Sequence, residues 1–464
     1  MTRPEVRSTA IDGLLVVELD VRGDNRGWFK ENWQRAKMVG LGLPDFSPVQ
    51  NNVSFNAQRG ATRGIHAEPW DKFVSVVHGR IFGAWVDLRP GPGFGNTFTL
   101  DELGPKTAVF VPRGVGNAFQ TLEDETVYSY LVNDHWSAAA KDSYTFLNLA
   151  DETVAIDWPI PLEQCELSDA DRTHPRLADV RPMPARPVLV LGAHGQLGRA
   201  LTEALPDAVA VGRDTLDLAD PASVAAFDFS LYGVVVNAAA YTKVDAAETE
   251  QGRRDAWAAN VAGVGALVAA AREHRSVLVH VSSDYVFDGT RETHPEDEPF
   301  SPLGVYGQTK AAGDALVSTC PQHYLLRTSW VVGAGGNFVA TMAGLADRGV
   351  RPSVVDDQHG RLTFTSEIVR ALRHLLATAA PYGTYNVTNA GPVTSWADIA
   401  RAVFTARGKP ADAVTPVSAA EYGAGKALAP RPTHSTLELD KLAGTGFVPE
   451  EASVALARYL SAAG

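Results

Sequence analysis

Three side chains in the middle of the chain have the types and spacing needed to move a hydride and a proton. Ser283 ends the apolar run Val277-Leu278-Val279-His280-Val281-Ser282-Ser283. Tyr306 and Lys310 follow Pro302 four residues apart, so on a helix they share one face. A phenol has a pKa near ~10 and alone is a reluctant acid or base at pH 7. An ammonium group beside it favours the phenolate and brings it into a useful range. Ser283 would hold a carbonyl or hydroxyl oxygen against that phenol. The set suits hydride transfer to or from a carbon bearing oxygen. A tyrosine four residues before a lysine also arises by chance on many helices as a surface pair, so its weight depends on what surrounds it.

The surroundings are those of a dinucleotide site. The β-branched run ending at Ser283 reads as a buried parallel strand that delivers hydroxyls at its carboxyl end. Upstream, Val188-Leu189-Val190-Leu191 leads directly into Gly192-Ala193-His194-Gly195-Gln196-Leu197-Gly198 and a helical Arg199–Leu205. Strand, glycines and helix in one unit make a pyrophosphate cradle, expected to use Gly192, His194, Gly195, Gln196, Leu197 and Gly198. A second strand, Ala208-Val209-Ala210-Val211-Gly212, ends at Arg213-Asp214. Arg213 stands where a 2′-phosphate would lie, which favours NADPH. Asp214 leaves NADH open, and ordinary solvent exposure is the plainer account of Arg213. A third strand, Val234–Asn237, ends in the small residues Ala238, Ala239 and Ala240, which let a cofactor lie across the sheet edge. Residues 188–464 therefore read as a doubly wound α/β Rossmann domain with a small substrate lobe after Gly333. Arg361 and Arg431 lie on loops of that lobe. A phosphate contact and plain exposure account for them equally well.

Residues 1–172 have a different texture. Lys72–Leu88 reads as two strands around a His-Gly turn, and further strand-like segments follow at Thr107–Pro112 and Thr126–Val132. Long helical periodicity is scarce, so an all-β barrel or jelly roll is expected. Residues 173–187 carry four prolines and no pattern, which predicts an extended linker.

Bulk composition narrows the function classes. The 464 residues ask for two or three domains, and 45% hydrophobic with 20% charged residues is ordinary for a soluble enzyme. A formal charge of −13 argues against a nucleic-acid partner. The two cysteines, Cys165 and Cys320, offer neither a disulfide framework nor metal spacing. No apolar run nears the ~20 residues that span a bilayer, and the first residues lack a signal-peptide core. A cytoplasmic protein with no membrane partner is expected.

Longer motifs add a resemblance. Asn237-Ala238-Ala239-Ala240-Tyr241-Thr242-Lys243-Val244-Asp245, Ser282-Ser283-Asp284-Tyr285-Val286-Phe287-Asp288-Gly289, Tyr306-Gly307-Gln308-Thr309-Lys310 and Arg327-Thr328-Ser329-Trp330 closely resemble dTDP-4-dehydrorhamnose reductase, an extended short-chain dehydrogenase. The resemblance implies that Tyr306 is the proton donor and that Lys310 lowers its pKa and binds the ribose. It implies further that Ser283 partners the ketone oxygen, that Trp330 borders the sugar and that Arg431 contacts substrate.

Residues 1–172 resemble dTDP-4-dehydrorhamnose 3,5-epimerase, a cupin-like jelly roll. The stretches are Gly23-Asp24-Asn25-Arg26-Gly27-Trp28-Phe29-Lys30-Glu31, Gln50-Asn51-Asn52-Val53-Ser54, Arg63-Gly64-Ile65-His66, Pro112-Arg113-Gly114 and Leu167-Ser168-Asp169-Ala170-Asp171. By this resemblance His66 abstracts protons beside the ketone, Asp171 orients it, Lys72 neutralises the enolate oxygen and Tyr130 supplies a proton from the other face. Arg26, Glu31, Gln50, Asn52, Arg63 and Asn117 would contact a dTDP-sugar, and a homodimer through the β domain is expected. The chemistry agrees, because a near-neutral base and a cation are what enolisation needs. Asn117 replaces a family histidine and Trp136 a tyrosine, which leaves open whether both carbons are epimerised. Asn117 also removes a ligand from any cupin metal set, so no metal is expected. The leading reading is a fused epimerase and NADPH-dependent reductase making dTDP-L-rhamnose. The alternatives are an active 4-ketoreductase with a partial epimerase or a sugar-binding β domain, giving another dTDP-6-deoxyhexose, and a nucleotide-binding scaffold that has lost the chemistry.

Overall fold

The computed structural model describes residues 5–137 and 139–462, and the chain divides into two compact units, Met1–Ala185 and Arg186–Gly464.

The first unit is a sandwich of two antiparallel sheets. Six strands run in the order Glu5–Ser8, Leu15–Glu18, Thr107–Val111, Lys72–His78, Thr126–Val132 and Gln50–Asn56. Facing them are Thr145–Phe146, Thr62–Ala67, Val115–Thr121, Ile81–Asp87 and Thr97–Leu103. Because side chains alternate across a strand, the inward faces meet in a core that includes Val74, Val76, Trp85, Val115, Phe119 and Tyr128. The outer face of the five-stranded sheet is also covered, around Ile65, Ala84, Ala118 and Leu147.

Two expectations are corrected here. Lys72–His78 and Ile81–Asp87 both form, but they do not pair with each other. The His-Gly turn carries the chain from one sheet to the other. Both strands are central and buried on two faces, so their continuous apolar pattern said nothing about which neighbour each would take. The proline-rich stretch 173–187 is not a free linker either. Leu177, Val180 and Met183 are buried in the second core of the first unit, and the Met183 N–H donates to the Leu88 carbonyl. A cut meant to separate the halves belongs at Ala185, beyond those anchors.

In the second unit the strands run in the order Val209–Val211, Val188–Leu191, Val234–Asn237, Val277–Ser283, His323–Thr328 and Gly383–Asn386, all parallel. Helices cover both faces over two apolar clusters. From Val188–Leu191 the chain goes first to one neighbouring strand and then to the other, so the strand order reverses beside it. At such a point two carboxyl-end loops diverge and leave a crevice. A smaller lobe, with helices Phe338–Asp347, Trp396–Ala406 and Ala452–Ala462, has its own core around Met342, Leu362, Phe364, Val403 and Phe404. Among the described residues no helix is long and apolar enough to cross a membrane.

Candidate functional site

The reductase-type residues converge at the carboxyl end of the central sheet. Ser283 closes the Val277–Ser283 strand, and its hydroxyl donates to Asp284 Oδ1 at 2.9 Å. Helix Val305–Val317 brings Tyr306 beside Ser283, near enough for the serine to act on the phenol's acidity. No side chain of its own caps this helix. Glu248 does so from elsewhere, accepting the Val305 N–H at 2.8 Å and placing a carboxylate at the positive end of the dipole. Lower on the helix, Asp314 takes the Arg327 guanidinium at 3.0 Å in a buried pair, which ties the helix to the next strand. Val244, Glu248, Tyr285, Tyr306, Ala429 and Pro430 line a cleft over this centre.

Burial pushes the Tyr306 phenol above its ordinary value, as does the nearby Asp284 carboxyl, while Ser283 pulls the other way. The phenol is therefore protonated at neutral pH. Lys310 does not supply the expected lowering. Its Nζ donates to the Val281 carbonyl at 2.8 Å and lies 3.2 Å from His280 Nε2. Burial lowers Lys310 to about 8, and burial followed by the Lys310 charge holds His280 well below its ordinary value. A tautomer argument agrees. Asn237 Oδ1 accepts from the Ala239 N–H, so its amide nitrogen donates to His280 Nδ1. Neutral His280 then carries its proton on Nε2, and the contact with Lys310 is a hydrogen bond when the amine is uncharged. The pairing of His280 with Asn237 is not legible in the sequence, because 43 residues separate them and they lie on different strands.

The cofactor residues fit a dinucleotide. Gly192 has φ +77°, and a Cβ there would meet the Ala239 nitrogen at 2.8 Å; one on Gly198 would meet the Gly192 carbonyl at 2.0 Å. Helix Gln196–Ala204 starts at Gly195 with no side-chain cap, so its first N–H groups are free for phosphate. His194 lies in the loop before this helix, Leu197 in its first turn and Ala238–Ala240 in the loop after strand Val234–Asn237, while Gln196 donates to the Gly336 carbonyl at 3.0 Å. Arg213 is 75% exposed, in a loose 3.3 Å pair with Asp217. Arg431 grips Asp245 at 2.9 and 3.0 Å and hydrogen-bonds Tyr285, whose ring meets Tyr306 edge-on. Trp330 departs from expectation. Its ring stacks on Trp396 at 3.8 Å and packs with the lobe core, because two flat apolar faces gain more from each other than from an open cleft.

In the first unit, the strand pleat turns His66 to the sandwich interior while Ile65 and Ala67 face the outer core. Asn117 stands opposite His66 and bonds the Tyr128 hydroxyl at 3.3 Å. Lys72, Tyr130, Gln50 and Asn52 share the inward face of the other sheet by register, as Lys72 and Gln50 both oppose Val132 and Asn52 opposes Tyr130. Gln50 also donates to Asn52 at 2.8 Å. Burial pushes the Tyr130 phenol up to about 12, with Glu68 adding to the shift. Arg63 donates to Asn56 at 3.1 Å.

His66 Nε2 lies 2.8 Å from Asp171 Oδ1. Burial raises Asp171, but the hydrogen bond and charge of His66, with help from Ser168, outweigh it and hold the carboxyl below its ordinary value. Three neighbours went unread in the sequence. Glu68 pairs with Lys72 at 2.9 Å, so that cation is already compensated. Tyr144, raised by burial and by Glu68, stands edge-on to Trp70. His174 follows Asp171 by three residues at the end of helix Asp169–Thr173, a spacing that a capped helix would have revealed. Arg26 and Glu31 are not gathered with the His66 group. Arg26 pairs with Asp24 on an exposed hairpin and Glu31 with Lys37 at 2.7 Å, as both lie on polar, solvent-facing chain.

Comparison with known proteins agrees with both geometries. A Streptococcus pyogenes protein described as an RmlC homologue is 49% identical over 178 residues, covering 37% of this chain and 89% of its own. A dTDP-4-dehydrorhamnose reductase from Aggregatibacter actinomycetemcomitans is 38% identical over 271 residues, covering 55% of this chain and 91% of its own. The crystal structure of a dTDP-4-dehydrorhamnose reductase from Bacillus anthracis in complex with NADP superimposes with a TM-score of 0.55 at 31% identity, over 60% of this chain and all of that one. Residues 186–463 match the RmlD substrate binding domain family and residues 8–179 the dTDP-4-dehydrorhamnose 3,5-epimerase family, so the chain belongs to both, joined in one polypeptide.

Proposed function

We propose that the chain carries out two successive steps towards dTDP-L-rhamnose. The first unit epimerises carbons 3 and 5 of dTDP-4-dehydro-6-deoxy-D-glucose, and the second reduces the carbon 4 ketone. The observation that carries this reading is the pairing of a His66–Asp171 base with a separate Ser283–Tyr306 acid, each in a unit of the matching family. A one-pot incubation with the keto sugar and NADPH, read out as the stereochemistry of the sugar formed, tests it.

In the first unit, His66 Nε2–H donates to Asp171, which leaves the lone pair on Nδ1 to take the proton beside the ketone. Lys72 stabilises the enolate oxygen, and Glu68 keeps that charge compensated while substrate is absent. Tyr130, held protonated by burial, returns a proton from the opposite face.

In the second unit NADPH, when bound, supplies the hydride. Ser283 orients the ketone oxygen and Tyr306 protonates it as negative charge develops there. A phenol kept protonated by burial suits donation better than abstraction, which fits the reducing direction. The loop from Gly192 to Gly198 would hold the pyrophosphate, Ala238–Ala240 would flank the nicotinamide half, and Lys310 would meet the ribose. Arg431, anchored on Asp245 between the cleft-lining Pro430 and Pro432, would contact the substrate.

Arg213 is assigned to the 2′-phosphate because it is exposed at the end of the second strand. Charge-assisted hydrogen bonds of this kind are worth ~1.5–3 kcal/mol, and solvent exposure favours the lower end. NADPH should be used more efficiently than NADH, and Arg213→Ala should remove most of that difference. Equal kcat/KM for the two cofactors in the parent protein would refute the assignment.

A homodimer through the first unit is supported by Gln50–Asn56, an edge strand with Val53 and Phe55 63% and 60% exposed. An unpaired edge carrying apolar side chains is a ready partner for a second copy. Sedimentation should give a dimer that Phe55→Glu dissociates, and a monomeric parent would dispose of the idea.

A further inference from the structure

His174 is the least explained polar side chain of the first unit. It is nine-tenths buried, and its Nδ1 has no hydrogen-bond partner. Its ring stacks on Phe146 at 4.6 Å and meets His66 edge-on at 5.4 Å. A buried ring nitrogen with no acceptor to receive a proton is better left bare, which puts the ring proton on Nε2 and a lone pair on Nδ1. That lone pair lies 3.9 Å from Asp171 Oδ1, which is itself 2.8 Å from His66 Nε2. One ligand atom from each of the three residues lies within 4.8 Å of the others.

We propose that His66, Asp171 and His174 form a binding site for a divalent transition-metal cation of zinc type, and that metal bound there stops proton transfer by the first unit. The second half of this statement rests on the catalytic role given to His66 under Proposed function.

The donor set selects the metal. Two imidazoles and a carboxylate suit zinc and its neighbours, whereas calcium and magnesium want oxygen alone. Three protein ligands leave a fourth position open for water.

The inhibition follows from the same tautomer logic. In the metal-free protein the Nε2 proton of His66 is held by Asp171 and the base lone pair is on Nδ1. A metal bound to Nε2 takes the place of that proton, which moves to Nδ1, the atom that must accept the substrate proton. The ring also loses basicity beside a dication. No redox change and no net proton release is involved. The residues of the second unit are untouched, so the reductase should continue.

The test uses the full chain, stripped of metal by a chelator and titrated with cobalt(II) and then zinc. One equivalent of cobalt should bind with visible d–d absorption of a low-coordinate site, and zinc should bleach it. Deuterium uptake from heavy water into the keto sugar should fall in step with zinc and recover with chelator. NADPH oxidation on ketone epimerised beforehand should not change. His174→Gln and His174→Phe (the second of which keeps the stack on Phe146) should each weaken zinc binding by about 100-fold or more, with the thermal transition of the first unit retained. The proposal fails if the parent binds no cobalt or zinc, if both variants bind as tightly as the parent, or if zinc binds while deuterium uptake continues at the metal-free rate. Absence of deuterium uptake in the metal-free parent would refute the epimerase reading instead, and the cobalt spectrum and the two variants would still decide the site.

Discussion

Tyr306→Phe should lower the rate of ketone reduction by ~10² or more while leaving cofactor binding nearly intact. The phenol stands beside Ser283, the residue that would hold the ketone oxygen, and burial keeps its proton in place at neutral pH. Phenylalanine preserves the packing of the ring against Tyr285 and removes only the hydroxyl. The loss should therefore fall on kcat with little change in NADPH affinity. Single-turnover oxidation of NADPH on pre-epimerised ketone measures it. Reduction at the parent rate would show that the proton comes from elsewhere. The first unit should still exchange substrate protons with heavy water in this variant, because its own base is complete without the second site.

His66→Asn is the reciprocal case. It should abolish deuterium uptake at both carbon 3 and carbon 5, a loss of ~10² to 10⁴, and leave reduction of pre-epimerised ketone unchanged. Asparagine can still bond Asp171 but has no lone pair basic enough to take a carbon acid's proton. In the parent, one position should label distinctly more slowly than the other. One base reaches two carbons only if the sugar shifts, and Asn117 opposite His66 is engaged with Tyr128 where a charged donor would guide that movement. Uptake in His66→Asn at the parent rate would remove His66 from its role. No uptake in the metal-free parent would reduce the first unit to a binding module.

Much of the second unit could be read from the chain because its information is local. The Val188–Leu191 run, the glycines and the uncapped helix are contiguous, and each glycine answers a clash that one added carbon would cause. Ser283, Tyr306 and Lys310 lie within 28 residues on one strand and one helix, so their convergence needed only two elements. The environment of those groups could not be read. Burial lowers Lys310 and Asp314 raises it, and the contact it makes with His280 is set by Asn237 of a neighbouring strand. Burial, rather than the ammonium, sets the Tyr306 proton.

In the first unit the strands were visible and their pairing was not. Lys72–His78 and Ile81–Asp87 are apolar on both faces, and such a run fits equally well in either sheet of a sandwich. The stretch 173–187 was mistaken for a linker because it buries Leu177, Val180 and Met183 from irregular chain, where no period announces a packed face. Glu68 and His174 escaped for a related reason. Each lies within a few residues of a recognised side chain, and only the fold shows that Glu68 neutralises Lys72 and that His174 turns a bare nitrogen towards Asp171.

The central claim is that one chain performs both steps, and product stereochemistry tests it most directly. The purified protein is incubated with dTDP-4-dehydro-6-deoxy-D-glucose and NADPH, and the nucleotide sugar formed is assigned by NMR coupling constants around the ring. The account predicts dTDP-L-rhamnose, inverted at carbons 3 and 5 and reduced at carbon 4, with one NADPH consumed per sugar. A 4-reduced sugar that keeps the D-gluco configuration at either carbon, or consumption of NADPH only after a separate epimerase is added, would contradict it.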